Sequence, residues 1–300
     1  MRAFITGAGG FVGRHLKSHL EASGDVVTAA DRECDVTDLE SVSRFLGESK
    51  PEAIYHLAAL SHVGDSWENP TEFTRVNVLG TKILLDAARH VVPEATVVSV
   101  SSAEVYGIVS ELDLPVCETL RTAPTNPYSS SKLEAEHFAR DAARETGQRV
   151  IIVRPFNHVG PGQSTKFVIP ALVSRLFEAR DEGHREIRVG DLSTRRDFSD
   201  VRDVVRAYRL LALHARSGEV YNVASGVDTS LRDIANTLRA EIAPDVELVV
   251  DPTLLRPVEV PVIRGSFQKL HDATGWEPVI TLQESLRDVV SEYRSMPAGR

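Results

Sequence analysis

The chain has 300 residues, 42% hydrophobic and 26% charged, the composition of a folded globular protein of about two domains rather than a disordered or fibrous one. Its 43 acidic and 34 basic side chains give a formal charge of −9, which argues against general attraction to nucleic acid or anionic membranes, so an anionic ligand needs a local arginine cluster. Two cysteines, Cys34 and Cys117, lack CxxC spacing and a His/Cys cluster, so neither a disulfide framework nor a metal site is expected; with no long apolar stretch, a cytoplasmic location is.

Residues 2–6 (RAFIT) form a short apolar run ending in Gly7-Ala8-Gly9-Gly10, after which Phe11, Val12, Leu16 and Leu20 recur at helical spacing. Strand, tight turn and helix are predicted. That geometry aims N–H groups and the positive helix end at one spot and suits a pyrophosphate. Gly7, Gly10 and Gly13 follow GxxGxxG rather than the usual GxGxxG fingerprint, so a glycine turn without a ligand stays open. A second strand over residues 25–30 ends at Asp31-Arg32, placing an acid about 20 residues past the turn, where a ribose hydroxyl is held. Arg32 and Arg14 suit a ribose 2′-phosphate or plain solvated charge equally, which leaves NAD and NADP both open. Thr37 and Glu40 read as a capping box for a helix through Phe45 and Leu46, and residues 53–59 (AIYHLAA) as a third strand with His56 in the core. Alternating strands and helices predict an α/β fold with a doubly wound parallel sheet, the Rossmann arrangement.

A fourth strand, residues 97–100, runs into Ser101-Ser102-Ala103-Glu104. Ligands bind at that edge of such a sheet, so Ser102 and Glu104 are candidates for chemistry, against the plainer reading of a turn serine and a surface glutamate. Asn126-Pro127 opens a helix bearing Tyr128 and Lys132, four residues apart and on one face. With six tyrosines and six lysines in the chain, a chance YxxxK has odds of about one in eight. A phenol of pKa about 10 is a poor acid at neutral pH, and an ammonium about 4 Å away stabilises its anion by roughly 4 kcal/mol at an effective dielectric of about 20. Lys132 is therefore expected to acidify Tyr128, the proton donor to an oxygen gaining negative charge, while Ser102 hydrogen-bonds the same oxygen.

These motifs, TGAGGFVG at residues 6–13, HLAA at 56–59, NVLGT at 77–81, SSAEVYG at 101–107 and NPYSSSK at 126–132, resemble the extended short-chain dehydrogenase/reductases, which act on nucleotide-linked sugars. The likeness covers nearly the whole chain. It implies Ser102, Tyr128, Lys132 and Glu104 as catalytic residues. It implies NADP or NAD, with NADPH favoured, against Gly7, Gly10, Phe11, Val12, Gly13, Asp31 and Arg32, with Asp35, Val36, Leu57, Ala58, Ala59, Asn77, Tyr128 and Lys132 completing the site. A homodimer pairing through two helices per subunit, one bearing YxxxK, is implied as well.

Residues 149–153 (RVIIV) read as a last strong strand, and the proline and glycine density of 154–162 as a loop leaving the sheet. Beyond it gather Arg185, Arg188, Arg195, Arg196, Arg256 and Arg264, suited to a diphosphate or to ion pairs with the interleaved Glu182, Glu186, Asp191 and Asp197. FNHVGPGQS at 156–164, RRDFSDVRDVVRAY at 195–208, YNVASG at 221–226 and LRPVEVP at 255–261 are most similar to the family's reductases of GDP-linked 4-keto-6-deoxy sugars. On matching positions this implies a GDP-sugar substrate, with Ser102 and Asn157 at the sugar or pyrophosphate, Arg196 and Arg256 at the diphosphate, Glu259 at the GDP ribose and Val168 at guanine. It also implies a dinucleotide-binding domain of residues 1–155 and 198–224 and a smaller α/β substrate domain of 156–197 and 225–300. Helices over 231–238 and 282–290 and a strand over 247–250 belong to the latter, and the substrate is expected in the cleft between the two. The rivals are a nucleotide-sugar 4,6-dehydratase using Glu104, a 4-epimerase, and a non-catalytic NADP sensor. Ala103 stands where the dTDP-sugar dehydratases carry an aspartate, and the joint presence of Ser102, Tyr128 and Lys132 argues against the sensor.

Overall fold

The computed structural model describes residues 1–255 and 260–295. The first half alternates β1 (Arg2–Thr6), α1 (Phe11–Ala22), β2 (Val26–Ala30), α2 (Leu39–Ser49), β3 (Ala53–His56), α3 (Val63–Glu68), α4 (Pro70–Phe73), α5 (Gly80–Val91), β4 (Thr96–Val100), α6 (Pro127–Thr146) and β5 (Val150–Pro155). The second half supplies β6 (Asn157–Val159), α7 (Val168–Glu182), β7 (Glu186–Val189), β8 (Arg195–Asp200), α8 (Val201–His214), β9 (Val220–Val223), β10 (Asp228–Ser230), α9 (Leu231–Ile242), β11 (Glu247–Val250), β12 (Val262–Ile263), α10 (Gln268–Thr274) and α11 (Leu282–Ser295).

Six strands make one parallel sheet in the order β2-β1-β3-β4-β5-β9. Strand order reverses between β1 and β3, and the crevice at such a point is where α/β sheets take ligands. Central strands buried on both faces need continuous apolar runs, and Ile54, Val97, Val98, Ile151 and Ile152 are fully buried. Helix α6 begins where Asn126 caps it: its Oδ1 accepts the Ser129 N–H at 2.8 Å, the Ser129 hydroxyl accepts the Asn126 N–H at 3.2 Å, and Pro127 fits the first turn. This cap fixes the register that puts Tyr128 and Lys132 at the sheet edge.

Three sequence expectations are corrected here. The cap of α2 is Asp38, whose carboxylate accepts the N–H groups of Glu40 at 3.1 Å and Ser41 at 3.3 Å, while the Thr37 hydroxyl turns back to Asp35 at 2.8 Å. A carboxylate also meets the helix dipole, which a threonine does not. Strand β3 stops at His56 rather than Ala59, because the Ala58 N–H leaves the ladder for the Thr6 hydroxyl at 3.2 Å. The segment after β5 is not all loop: Asn157–Val159 pairs in parallel with β8 before the turn at Gly160.

Strand β9 completes the main sheet beside β5, and α8 packs on α1, so residues 201–223 pack with the first body. The expected boundary at 225–300 is crossed, however. Leu270 of α10 and Trp276 are fully buried among Leu16, Leu20, Tyr208 and Tyr221, and the Trp276 indole N–H donates to the Asp203 carbonyl at 3.0 Å. The apolar face of α8 is too wide for the main sheet alone, and α10 covers the remainder. A second core gathers Ile169, Leu172, Leu176, Ile234, Leu238 and Val289 from α7, α9 and α11. The two bodies join at Asp197, fully buried, whose carboxylate accepts the Ser225 N–H and hydroxyl at 2.8 and 2.6 Å and the Gly226 and Gly265 N–H groups at 3.0 and 3.1 Å.

Candidate active site

A cavity of about 760 Å³ opens along the carboxyl ends of the main sheet, within the range of small-molecule sites. One end is the glycine turn. Gly7 has φ +69°, and a Cβ there would lie 2.8 Å from the Ala58 backbone nitrogen; a Cβ on Gly13 would strike the Gly7 carbonyl oxygen and lie 2.7 Å from Ala8 Cα. The turn therefore passes tight against the Leu57-Ala58 segment after β3 and against the start of α1, and only glycine fits. No side chain caps α1, whose N-cap is Gly10, and no acid stands in its first turn. Gly10, Phe11 and Val12 line the cavity beside it, a cradle of the kind that holds a pyrophosphate. Asp31, Arg32, Asp35 and Val36 line the same end, with Leu57, Ala58 and Ala59 along the floor. Arg14 does not line it; its guanidinium donates to the carbonyls of Gly9 at 2.6 Å and Gly162 at 2.9 Å, tying the glycine turn to the loop after β6.

At the other end stand Ser102, Glu104, Tyr128 and Lys132. Ser102 caps the short 3₁₀ turn after β4, accepting the Glu104 N–H at 3.2 Å, and lines the cavity together with Tyr128. Glu104 accepts from the Asn126 amide at 3.4 Å. The Tyr128 ring packs edge-on against Phe73, with centroids 6.3 Å apart. The electrostatics correct the expectation that one ammonium acidifies this phenol. Burial pushes Tyr128 up to about 12 although the neighbouring Ser102 hydroxyl opposes it, and burial pushes Lys132 down to about 8 although Glu136 opposes it. Both charged forms lose water here, and desolvation is the largest cause for each. Tyr128 thus keeps its proton at neutral pH and Lys132 is mostly an ammonium.

His56 is a core residue, as expected. The Ala58 N–H donates to the Thr6 hydroxyl, which lies 2.9 Å from His56 Nδ1; His56 Nε2 lies 3.1 Å from the Thr81 hydroxyl, which donates to the Asn77 carbonyl at 2.7 Å. Followed in donor order, this thread leaves the imidazole neutral with its proton on Nε2. Burial, with Lys132 nearby, holds His56 down to about 3.

Other predicted residues fall elsewhere. Asn157 lines the cavity. Asn77 lies behind it, buried, accepting the Leu60 N–H at 2.8 Å and donating to the Leu60 carbonyl at 3.0 Å and the Ser131 hydroxyl at 2.9 Å, so it braces the cavity wall. Val168, the first residue of α7, is half-exposed and outside the lining, whereas its neighbour Phe167 is in it. Arg196 is buried outside the cavity, with Nη1 on the Val260 carbonyl at 2.6 Å. Arg256 and Glu259 lie outside the described residues. Arg188, Arg195 and Arg264 are held in ion pairs with Asp251 or Asp228. Unforeseen lining comes from His62, Gln163, Ser164, Phe167 and Tyr208. Of these, only Gln163-Ser164, directly after the Gly160-Pro161-Gly162 turn, carried a signal in the sequence.

A glycine cradle and a Ser-Tyr-Lys set in one cleft of a parallel sheet define a dehydrogenase/reductase of the extended short-chain class. The family model described as GDP-mannose 4,6 dehydratase matches residues 29–289, and the chain belongs to that family. It is 38% identical to the GDP-6-deoxy-D-mannose reductase of Pseudomonas aeruginosa over 298 residues, 98% of this chain and 97% of that one. The structure of RMD from Pseudomonas aeruginosa complexed with NADPH superposes with a TM-score of 0.91 at 36% identity, covering 98% and 99% of the two chains. The Thermus thermophilus UDP-glucose 4-epimerase complex with NAD gives 0.85 at 29% identity, covering 98% and 99%.

Proposed function

We propose that the protein is an NADPH-dependent reductase of the 4-keto group of GDP-4-keto-6-deoxy-D-mannose, forming GDP-D-rhamnose. The observation that carries this is the set Ser102, Tyr128 and Lys132 lining the same cleft as the glycine cradle, in a chain that aligns over 98% of its length with a GDP-6-deoxy-D-mannose reductase. When bound, the dinucleotide supplies the hydride. Gly7, Gly10 and Gly13 would admit its pyrophosphate, and Asp31 and Arg32, at the same end of the cavity, would hold its adenosine ribose. Tyr128 holds a proton on Oη and delivers it to the substrate oxygen, while the Ser102 hydroxyl donates to that oxygen as charge builds. Lys132 keeps positive charge behind the phenol. Asn157, Arg256 and Glu259 are assigned to the GDP-sugar, and α6 with a second helix of each subunit to a homodimer interface; Arg196, buried outside the cavity, is not. Among the described residues no helix is long and apolar enough to cross a membrane, which suits the cytoplasmic location proposed for it.

The second reading is a 4,6-dehydratase, favoured by Glu104 beside Ser102 at the cavity. One assay separates the two: purified protein is mixed with GDP-4-keto-6-deoxymannose and NADPH and the absorbance of the reduced cofactor is followed. Stoichiometric consumption is expected. Conversion of GDP-mannose to a 4-keto product without added reductant would replace the reductase reading with the dehydratase, and tight NADP binding without turnover would replace it with the sensor. The cradle is tested apart from turnover. Gly13→Ala forces a methyl into backbone, and NADPH affinity, read by cofactor fluorescence, should fall by about 10- to 100-fold. Unchanged affinity would remove the turn from the site.

A further inference from the structure

Directly behind the catalytic residues lies a buried ion pair with no part in the mechanism above. Glu136 stands one helical turn beyond Lys132 on α6, and Arg154 stands near the end of β5; each side chain is 1% exposed. The Arg154 Nε donates to Glu136 Oε1 at 2.8 Å and its Nη2 to Oε2 at 2.7 Å. The Ser101 hydroxyl, next to Ser102, donates to Oε1 at 2.6 Å, and Arg140 Nη2 reaches Oε2 at 3.1 Å. One carboxylate thus gathers the ends of β4 and β5 onto the face of α6 that bears Tyr128 and Lys132. A pair so deeply buried is a poor route to stability alone, since apolar residues of similar volume serve as well.

We propose that Glu136 is a positioning residue: clamped by Arg154 and Ser101, it sets Ser102 against α6 and supplies the buried negative charge that keeps Lys132 an ammonium. Several titratable groups stand on the elements packed around this pair. Helix α6 brings Tyr128 and Arg140, and β3 brings His56, which is neutral. The 3₁₀ turn brings Tyr106, whose ring lies 4.8 Å from the Arg154 guanidinium and whose hydroxyl donates to Asn222 at 2.8 Å, with Glu118 on the Asn222 N–H beyond it. Helix α3, also packed on α6, carries Asp65, which is half-exposed and tied to Lys166 at 2.9 Å and His62 at 2.8 Å. Glu134, two residues from Lys132, is exposed and off its face, so Glu136, one turn on, is the buried carboxylate that shares the Lys132 face, and its pull on the ammonium opposes the downward push of burial.

The inference rests on Lys132 acting as an ammonium in the proposed reaction, yet its test does not require turnover. The chain has six lysines, so carbon-13 labelling at lysine Cε gives few resonances, and Lys132→Arg identifies the one sought. In the unaltered protein it should titrate at about 8. In Glu136→Gln, with Arg154 still charged, the midpoint should fall by about one unit or more. In Arg154→Met it should rise, because the carboxylate loses its stronger partner. Opposite movements are the signature, since a purely structural clamp would lower melting temperature in both variants without moving the lysine in opposite senses. If either buried variant fails to fold, Arg140→Gln alters the half-exposed arm of the same carboxylate and should give a smaller upward shift. A stationary Lys132 midpoint in whichever of these variants fold, or movement of both buried variants in one direction, overturns the proposal. Absence of reductase activity with the predicted shifts intact would instead count against the function and leave Glu136 in its role.

Discussion

Tyr128→Phe is expected to lower turnover by about 10²- to 10⁴-fold while leaving NADPH affinity nearly unchanged. The substitution deletes one oxygen and keeps the ring, so the edge-on contact with Phe73 and the packing of α6 survive. Nothing nearby replaces the proton. The Ser102 hydroxyl can donate a hydrogen bond but is a far weaker acid than a phenol, and Glu104 is already drawn to the Asn126 amide. Steady-state rates with the keto-sugar, set beside cofactor fluorescence titration, separate the two effects. Turnover within a few-fold of the unaltered protein would move the proton donor elsewhere.

Lys132→Met should abolish activity and make the protein more stable. An ordinary lysine titrates at about 10.5 and this one at about 8, so folding at neutral pH holds an ammonium in a place that disfavours it. The sign follows from proton counting: between about pH 8 and 10.5 the unfolded chain binds a proton that the folded chain has released, so stability rises across that window. Below pH 8 the full penalty stands, on the order of 3 kcal/mol. Methionine keeps the unbranched stem and removes the charge. Thermal unfolding at pH 7 should show a higher melting temperature for the variant, with the gap narrowing toward pH 10. A lower melting temperature at pH 7 would mean that the ammonium is stabilised where it sits. Such opposition between function and stability is what an active site retained for its chemistry leads one to expect.

Local chemistry made much of this legible in the sequence. The RAFIT run and its glycines, the Asn126-Pro127 helix start and the Val/Ile strands each carry their own instruction within a few residues, and the parallel sheet follows from their alternation. Contacts between distant segments were not legible. Glu136 and Arg154 are 18 residues apart on different elements, and a glutamate on a helix reads as solvated until the strand behind it is in place. Asp197, interleaved with arginines, read as an ion-pair partner, yet it takes backbone N–H groups instead. The four-residue spacing of Tyr128 and Lys132 identified their common face correctly but carried no information on depth. Depth is what turned the expected acidification of the phenol into its reverse. Asn77 shows the same limit, since its motif was legible and its place behind the wall was not.

The position of β9 bears on how the chain matures. Residues 220–223 close the outer side of β5, so a nascent chain that has emerged only as far as Pro155 exposes a raw edge of Val150, Ile151, Ile152 and Val153 with nothing to pair it. Open apolar edges of that kind invite aggregation, and parallel pairings across long stretches of chain form slowly. Some sixty further residues must leave the ribosome before the edge is sealed, and α10 must arrive later still to roof α8. Fragments cut after the fifth strand should accordingly be poor candidates for soluble expression, whatever the apparent autonomy of their nucleotide-binding motifs.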